Sequence, residues 1–368
     1  MRSALNSILL AIVLITMGCG GDERKQESVT SIAEAGENSA SEESPIAHGK
    51  WSETKFSLDT NQHYRGLFTK GDTIIISGSS GHVAVGRVQP DGITWENNFN
   101  VDSLHLRDVE FSEQHIHVLS IGTPGYLKSW RAAQNDPVAS TWNTQYFNAD
   151  SSVFMDGMDF WENGAGLVYG DPLVGYHFVL KTQNHGREWT RVPSDQLPSP
   201  LKDEAGFAAS GTGVVCMGKG TAYIGWGGEK ARLFKTTDYG ETWEAIETPL
   251  ARGSGKGIYG MAWKNELEGV VAGGSWEGPT GDSCCAFTKD GGRTWTLSQG
   301  GSGYRSGVCY VQEDMYLSVG TNGTDISRDG GLTWNQMNKE NLNAIQPLAE
   351  IRAAVAVGSK GKGLLIRY

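Results

Sequence analysis

The chain has 368 residues, a formal net charge of −11 and 50 glycines, 12 tryptophans and five cysteines. Acidic residues outnumber basic ones by 42 to 31 and no block of Lys and Arg occurs. That distribution excludes nucleic acid as a partner, because phosphate binding relies on clustered positive charge.

The N-terminus carries Arg2, an apolar run from Ile8 to Met17, and then Gly18-Cys19. This is a signal-peptide pattern. The run is too short to cross about 30 Å of hydrocarbon as a mature helix. Residues 20–49 are rich in Glu, Ser, Gly and Ala, contain no aromatic residue and hold −5 of the formal charge. Such a stretch cannot bury enough apolar surface to fold, so it reads as a flexible acidic tether.

From Lys50 to Tyr368 short apolar runs such as Thr73–Ser77 and Leu364–Arg367 alternate with polar turns, the signature of many short strands. Six motifs ending in tryptophan punctuate this region. The fullest are Ile326-Ser327-Arg328-Asp329-Gly330-Gly331-Leu332-Thr333-Trp334 and Phe287-Thr288-Lys289-Asp290-Gly291-Gly292-Arg293-Thr294-Trp295. Lys235 to Trp243, with Asp238, and Lys181 to Trp189 are close relatives, and degraded copies end at Trp95 and Trp142. Successive tryptophans lie 47, 47, 54, 52 and 39 residues apart. A period of about 40 to 50 residues is that of a radially repeated β-architecture, in which each repeat is one supersecondary unit unable to bury its own face.

Aligning the units places an inner strand at Arg65-Gly66-Leu67, Arg107-Asp108-Val109, Asp156-Gly157-Met158, Ala205-Gly206-Phe207, Tyr259-Gly260-Met261 and Ser306-Gly307-Val308. Residues 343–368 supply three further strands and Trp51–Phe56 a fourth. The expected fold is therefore an all-β, single seven-bladed β-propeller over residues 50–368, with the two chain ends sharing the closing blade and removing the exposed sheet edge.

The repeated motif resembles the Asp-box, or BNR, repeat, of pattern Ser/Thr-x-Asp-x-Gly-x-Thr-Trp, found in sialidases, sortilin-type receptors and the photosystem II assembly and stability factors with their bacterial relatives. The last group is the most similar, through Phe160-Trp161 to Gly170-Asp171-Pro172, Glu204 to Ser210 and Gly303 to Ser306. Asp238, Asp290 and Asp329 are read as turn acceptors, and Trp189, Trp243, Trp295 and Trp334 as hairpin anchors. These are scaffold roles. Some members of that group are labelled oxidoreductases, but no Gly-x-Gly-x-x-Gly opening a helix after a strand is present, and no cofactor is expected. Thr16-Met17-Gly18-Cys19 resembles a bacterial lipobox, which implies lipidation at Cys19 and a lipoprotein of the cell envelope, on the membrane through its anchor only. Ordinary secretion is the alternative.

In a propeller the inner strands surround a channel whose mouth gathers side chains from several blades. Residues beside the aligned glycines, Tyr64, Arg65, Arg107, Asp108, Asp156, Glu204, Tyr259, Tyr304 and Arg305, are the candidates. So many charges are costly to bury unpaired. They either neutralise one another or receive a ligand, and arginine forks suit carboxylate or phosphate. Ligand binding is assigned to Tyr64, Arg65, Arg107, Tyr259 and Arg305. Glu204, Asp156 and Tyr304 are the candidates should the site be catalytic, since the arginines echo the sialidase triad although the Phe/Tyr-Arg-Ile-Pro signature is missing. The expected function is binding of a protein partner or an anionic small molecule or glycan by a monomer, in envelope or complex assembly; the alternative is a glycoside hydrolase or lyase acting on acidic sugars.

His115 and His117 share a strand face without a third ligand, so no metal is expected. Gly170-Asp171-Pro172 reads as a turn, or as part of the mouth. Cys216, Cys284, Cys285 and Cys309 allow buried thiols or a bridge, and spacing does not choose.

Overall fold

The computed structural model describes residues 51–59, 61–131, 141–277 and 283–368. The expected signal peptide, the expected lipidation site Cys19 and the expected tether lie outside the described residues. The described chain is all-β, with three single-turn 3-10 segments as its only helical parts.

Four consecutive strands, Tyr64–Lys70, Thr73–Gly78, His82–Gln89 and Gly92–Asn100, form an up-and-down antiparallel sheet. The same plan recurs from Leu106–Ser112 to Asn143–Asn148 and from Met155–Phe160 to Thr190–Arg191. A fourth sheet starts at Val214–Met217, ends at Thr296–Leu297 and has eight strands, because Gly227 and Gly228 pair with Gly257 and Gly253. Strands from Gly307–Gln312 to Thr333–Asn338 make the fifth, with Gln299–Gly300 added to its edge. In the sixth, Ala344–Leu348, Ala353–Val357 and Lys362–Arg367 are completed by Ser52–Ser57, which runs antiparallel to Lys362–Arg367. Among the described residues hydrogen bonding thus defines six sheets, and the expected seven separate units do not appear as seven, because the glycine-rich contact at 227–228 joins two runs of four strands.

The innermost strand of each run packs beside the next. Tyr64–Lys70 touches Leu106–Ser112, and the sequence continues round to Ala344–Leu348, which returns to Tyr64–Lys70. That closed ring of radial sheets is a β-propeller arrangement. Its core lies between sheets. Ile74, Ile76 and Ala84 of the first interlock with Ala344, Val355 and Leu365 of the last, all fully or almost fully buried. Period-two alternation explains this packing, since successive strand residues face opposite neighbours.

The motifs that end at Trp189, Trp243, Trp295 and Trp334 form the turns between the third and fourth strands, and the turn before Trp142 lies outside the described residues. At Asp290, Thr288 Oγ1 donates to Oδ1 at 2.8 Å, Thr294 N–H donates to Oδ1 at 2.9 Å and Thr294 Oγ1 donates to Oδ2 at 2.6 Å. The Thr294 hydrogen bonds hold the carboxyl down at about 2. Asp238 and Asp329 repeat the geometry, and Asn184 keeps part of it. Trp189, Trp243 and Trp295 each donate the indole N–H to a turn carbonyl, of Gly186, Gly240 and Gly292. Trp334 instead is buried with Nε1 unpartnered. Gly331 has φ of +92°, and a Cβ there would lie 2.6 Å from Val270 of the preceding sheet, so only glycine fits.

Each turn also docks on the loop that follows its own innermost strand: His185 N–H on Gly164 O, Tyr239 N–H on Gly220 O, Gly291 N–H on Leu267 O and Gly330 N–H on Asp314 O, at 2.8–3.0 Å. All four therefore lie on the face where the innermost strands end. The degraded copy at Trp95 has no such turn, because Trp95 sits inside strand Gly92–Asn100 after a tight hairpin.

One expected inner strand is absent. Ala205 makes only an isolated bridge to Gly227, and regular pairing begins at Val214. Residues 206–212 instead cross the channel as a plug. Met261 N–H donates to Thr212 O at 2.9 Å, and Cβ atoms built on Gly211 and Gly307 would lie 2.3 Å from Asp108 Oδ1 and 3.2 Å from Ser210 Cβ.

Candidate functional site: the channel mouth

The plug divides the channel. On the side where innermost strands begin lies a cavity of about 550 Å³, and where they end lies one of about 310 Å³ that includes Glu110, Asp159 and Trp263. Of the predicted site residues, Arg65, Arg107, Asp156, Tyr259 and Tyr304 line the larger cavity, together with Asp171, Phe207, Trp276 and Asn343.

Arg65 Nη1 donates to Ala209 O at 2.9 Å and Arg107 Nη1 to Ala208 O at 3.3 Å, so both guanidiniums rest on the plug backbone. In each, Nε is buried without a partner. No carboxylate pairs with either arginine among the ion pairs of the described residues. Burial, and then mutual repulsion with Arg65, brings Arg107 down to about 10, still charged at neutral pH. Burial likewise lowers Arg65.

Asp156, at the start of Met155–Phe160, is 1% exposed and its Oδ2 has no hydrogen-bond partner. Desolvation, followed by the charge of Asp171, pushes it well above the usual carboxylate range. Burial therefore favours its protonated form. The aromatic wall is continuous: Phe207 stacks on Tyr259 at 3.8 Å and Tyr259 meets Tyr304 edge-on at 4.9 Å. Burial raises both tyrosines, Tyr304 to about 12, so their hydroxyls stay protonated. Trp276 stands at the rim, 60% exposed.

Four predicted mouth residues are elsewhere. Tyr64 is fully buried in the core between the first and last sheets, its hydroxyl 3.0 Å from His82 Nδ1. Arg305 is buried against Asp325, with Nη2 2.5 Å from Oδ2 and Nη1 on Asn322 and Tyr304 O. Asp108 accepts the Val109 and Met158 backbone N–H groups below the mouth. Glu204 takes Arg232 Nε at 2.8 Å and Nη2 at 2.6 Å and lies 3.0 Å from His177 Nε2. Desolvation would raise this carboxyl, but His177 and Arg232 hold it below its ordinary value. A side chain so engaged cannot serve as a catalytic base, and the proposed trio Glu204, Asp156 and Tyr304 does not converge.

Asp171 and Trp276 are the main lining residues that the sequence left open or missed. Asp171 belongs to strand Gly166–Leu173, not to a turn, and its Oδ1 accepts the Gly206 N–H of the plug at 3.0 Å. Trp276 follows Gly273-Gly274-Ser275, and a tryptophan just past a glycine-rich strand end was the available signal. His115 and His117 have ring centroids 6.1 Å apart, and His117 packs on Phe160 while burial lowers it to about 3. Among the described residues no three His, Cys, Asp or Glu side chains gather to hold a metal ion. Cys216, Cys285 and Cys309 form no disulfide, and burial pushes all three thiols up.

Fold and site together define a β-propeller with a plugged channel and a cationic mouth. Among solved structures the chain is similar to one described as "YCF48 bound to D1 peptide", with TM-score 0.60 and 14% identity over 88% of this chain and 96% of that one. It is also similar to "YCF48 from Cyanidioschyzon merolae", with TM-score 0.59 and 15% identity over 86% and 98%. No protein-family model and no curated protein matches the chain. At these identities the likeness establishes the propeller fold.

Proposed function

We propose that this protein is a seven-bladed, Asp-box propeller of the assembly-factor kind, exported and anchored through Cys19, that holds a segment of a partner protein by an anionic group at Arg65 and Arg107. The eight-stranded sheet is two four-stranded blades joined at Gly227–Gly228, which makes seven. One observation carries the functional reading: two guanidiniums share a cavity, each with a buried Nε that has no partner, and neither forms an ion pair among the described residues. Desolvated cations with no counter-ion are costly unless a ligand supplies one. A similar propeller in complex with a peptide supports a protein partner over a glycan, and Glu204, locked by Arg232 and His177, weakens the hydrolase alternative.

An array of extended peptides probed with the wild type and with Arg65→Gln/Arg107→Gln tests the reading. Retained peptides should be enriched in acidic side chains or free carboxylates and lose about ten- to a hundredfold in affinity in the variant, the worth of one or two charge-assisted hydrogen bonds. An unfolding midpoint like the wild type's would show the loss is local. Equal retention by both proteins would sink the proposal.

A further inference from the structure

Two carboxylic acids, not one, stand in the cationic mouth, and the second is placed where its charge matters. Asp171 lies on the strand beside Asp156 and lines the same cavity as Arg65 and Arg107. Its Oδ1 is fixed by the Gly206 N–H, two and three residues before the carbonyls of Ala208 and Ala209 that the two arginines hold. Like Asp156, it makes no ion pair among the described residues, so one short stretch of plug holds an acid on one side and two unpaired guanidiniums on the other.

We propose that Asp171 is a proton-operated specificity residue of the mouth: protonated, it leaves Arg65 and Arg107 to an anionic ligand, and ionised, it repels that ligand and competes for the arginines. The inference rests on the anion-binding reading of the mouth. Desolvation raises Asp171 to about 6, above the ordinary aspartate value although the Gly206 N–H opposes the rise. Burial displaces the other titratable groups around it from their ordinary values. Asp156 is pushed well above its ordinary value, and Tyr169, Tyr259 and Tyr304 are raised. His63 is lowered to about 4 by burial and Arg65, and His105 is lowered by burial and Arg107. Asp171 is therefore the carboxyl of the mouth whose charge changes as pH rises past about 6, and the change runs against anion binding.

The probe is N-acetyl-trialanine with a free C-terminal carboxylate, beside its C-terminal amide, titrated against the full chain from about pH 5 to 8. The probe's own carboxylate, with pKa about 3.5, keeps its charge over that range. Affinity for the acid should fall about fivefold or more as pH rises, the screened effect of one negative charge entering the site. Asp171→Asn, which retains the acceptor for Gly206 N–H, should hold the acid-pH affinity throughout, and the amide should show no pH dependence. A wild-type pH slope surviving in Asp171→Asn, or no slope in the wild type while Arg65→Gln/Arg107→Gln still abolishes binding, overturns the role of Asp171 alone. Failure of the acid to bind at any pH, or binding indifferent to the arginine substitutions, overturns the anion site itself and this inference with it.

Discussion

Replacing Glu204 with Leu should destabilise the protein by about 3 to 5 kcal/mol, the usual cost of stranding a buried charge by removing its partner. The side chains involved are sealed from water: Glu204 is 1% exposed, His177 0% and Arg232 9%. Leucine removes both Arg232 bonds, the His177 contact and the acceptor of Leu201 N–H at 2.9 Å. Arg232 would keep only Ser199 O, at 3.1 Å. With a urea slope of about 3 kcal/mol/M, the midpoint should drop by about 1 to 1.7 M. Glu204 also roots the plug, since Ala205 and Gly227 exchange two 3.0 Å backbone hydrogen bonds immediately after it. Hydrogen exchange at those two amides should accelerate first. Adding Arg232→Met to Glu204→Leu should restore at least half of the loss, because an apolar pair needs no counter-charge. A loss below about 1 kcal/mol, or a double variant no more stable than Glu204→Leu, would show that the ion cluster does not hold this region.

Other consequences concern the turns and the second cavity. Asp290→Ala should cost about 1 to 2 kcal/mol by releasing Thr288 and Thr294, while Asp290→Asn, the chemistry already present at Asn184, should cost less; thermal unfolding distinguishes them, and equal losses would contradict the acceptor role. Stability should fall between about pH 6.5 and 8.5. Burial raises Asp108 to about 8 and Asp159 to about 7, so the native state holds protons there that the unfolded chain has released, and stability is lost as pH rises through those values. His63 and His117, lowered to about 4 and 3 chiefly by burial, act with the opposite sign and only below about 6.5. Glu110→Gln, which removes a carboxyl raised by burial and then by Asp159 and Asp108, should flatten the slope in urea titrations at several pH values; an unchanged slope would refute the assignment.

The all-β propeller was legible in the chain itself, because the Ser/Thr-x-Asp-x-Gly-x-Thr-Trp turn is written in local hydrogen bonds. Thr288, Asp290, Gly292 and Thr294 satisfy one another within seven residues, and so the motif identifies itself without tertiary context. Sequence also marked Arg65, Arg107, Asp156, Tyr259 and Tyr304, since their places at the starts of inner strands follow from the repeat. It could not tell them from Tyr64, Glu204 and Arg305, which occupy equivalent positions but find partners distant in the chain, His82, Arg232 and Asp325, whose proximity is set by packing. The fusion at Gly227–Gly228 was equally invisible, being a contact between glycines of successive repeats. Most of all, only the tertiary structure showed that 206–212 leaves its sheet to plug the channel. A strand and a plug read alike in residues, and what separates them is whether neighbouring strands or converging side chains satisfy the backbone.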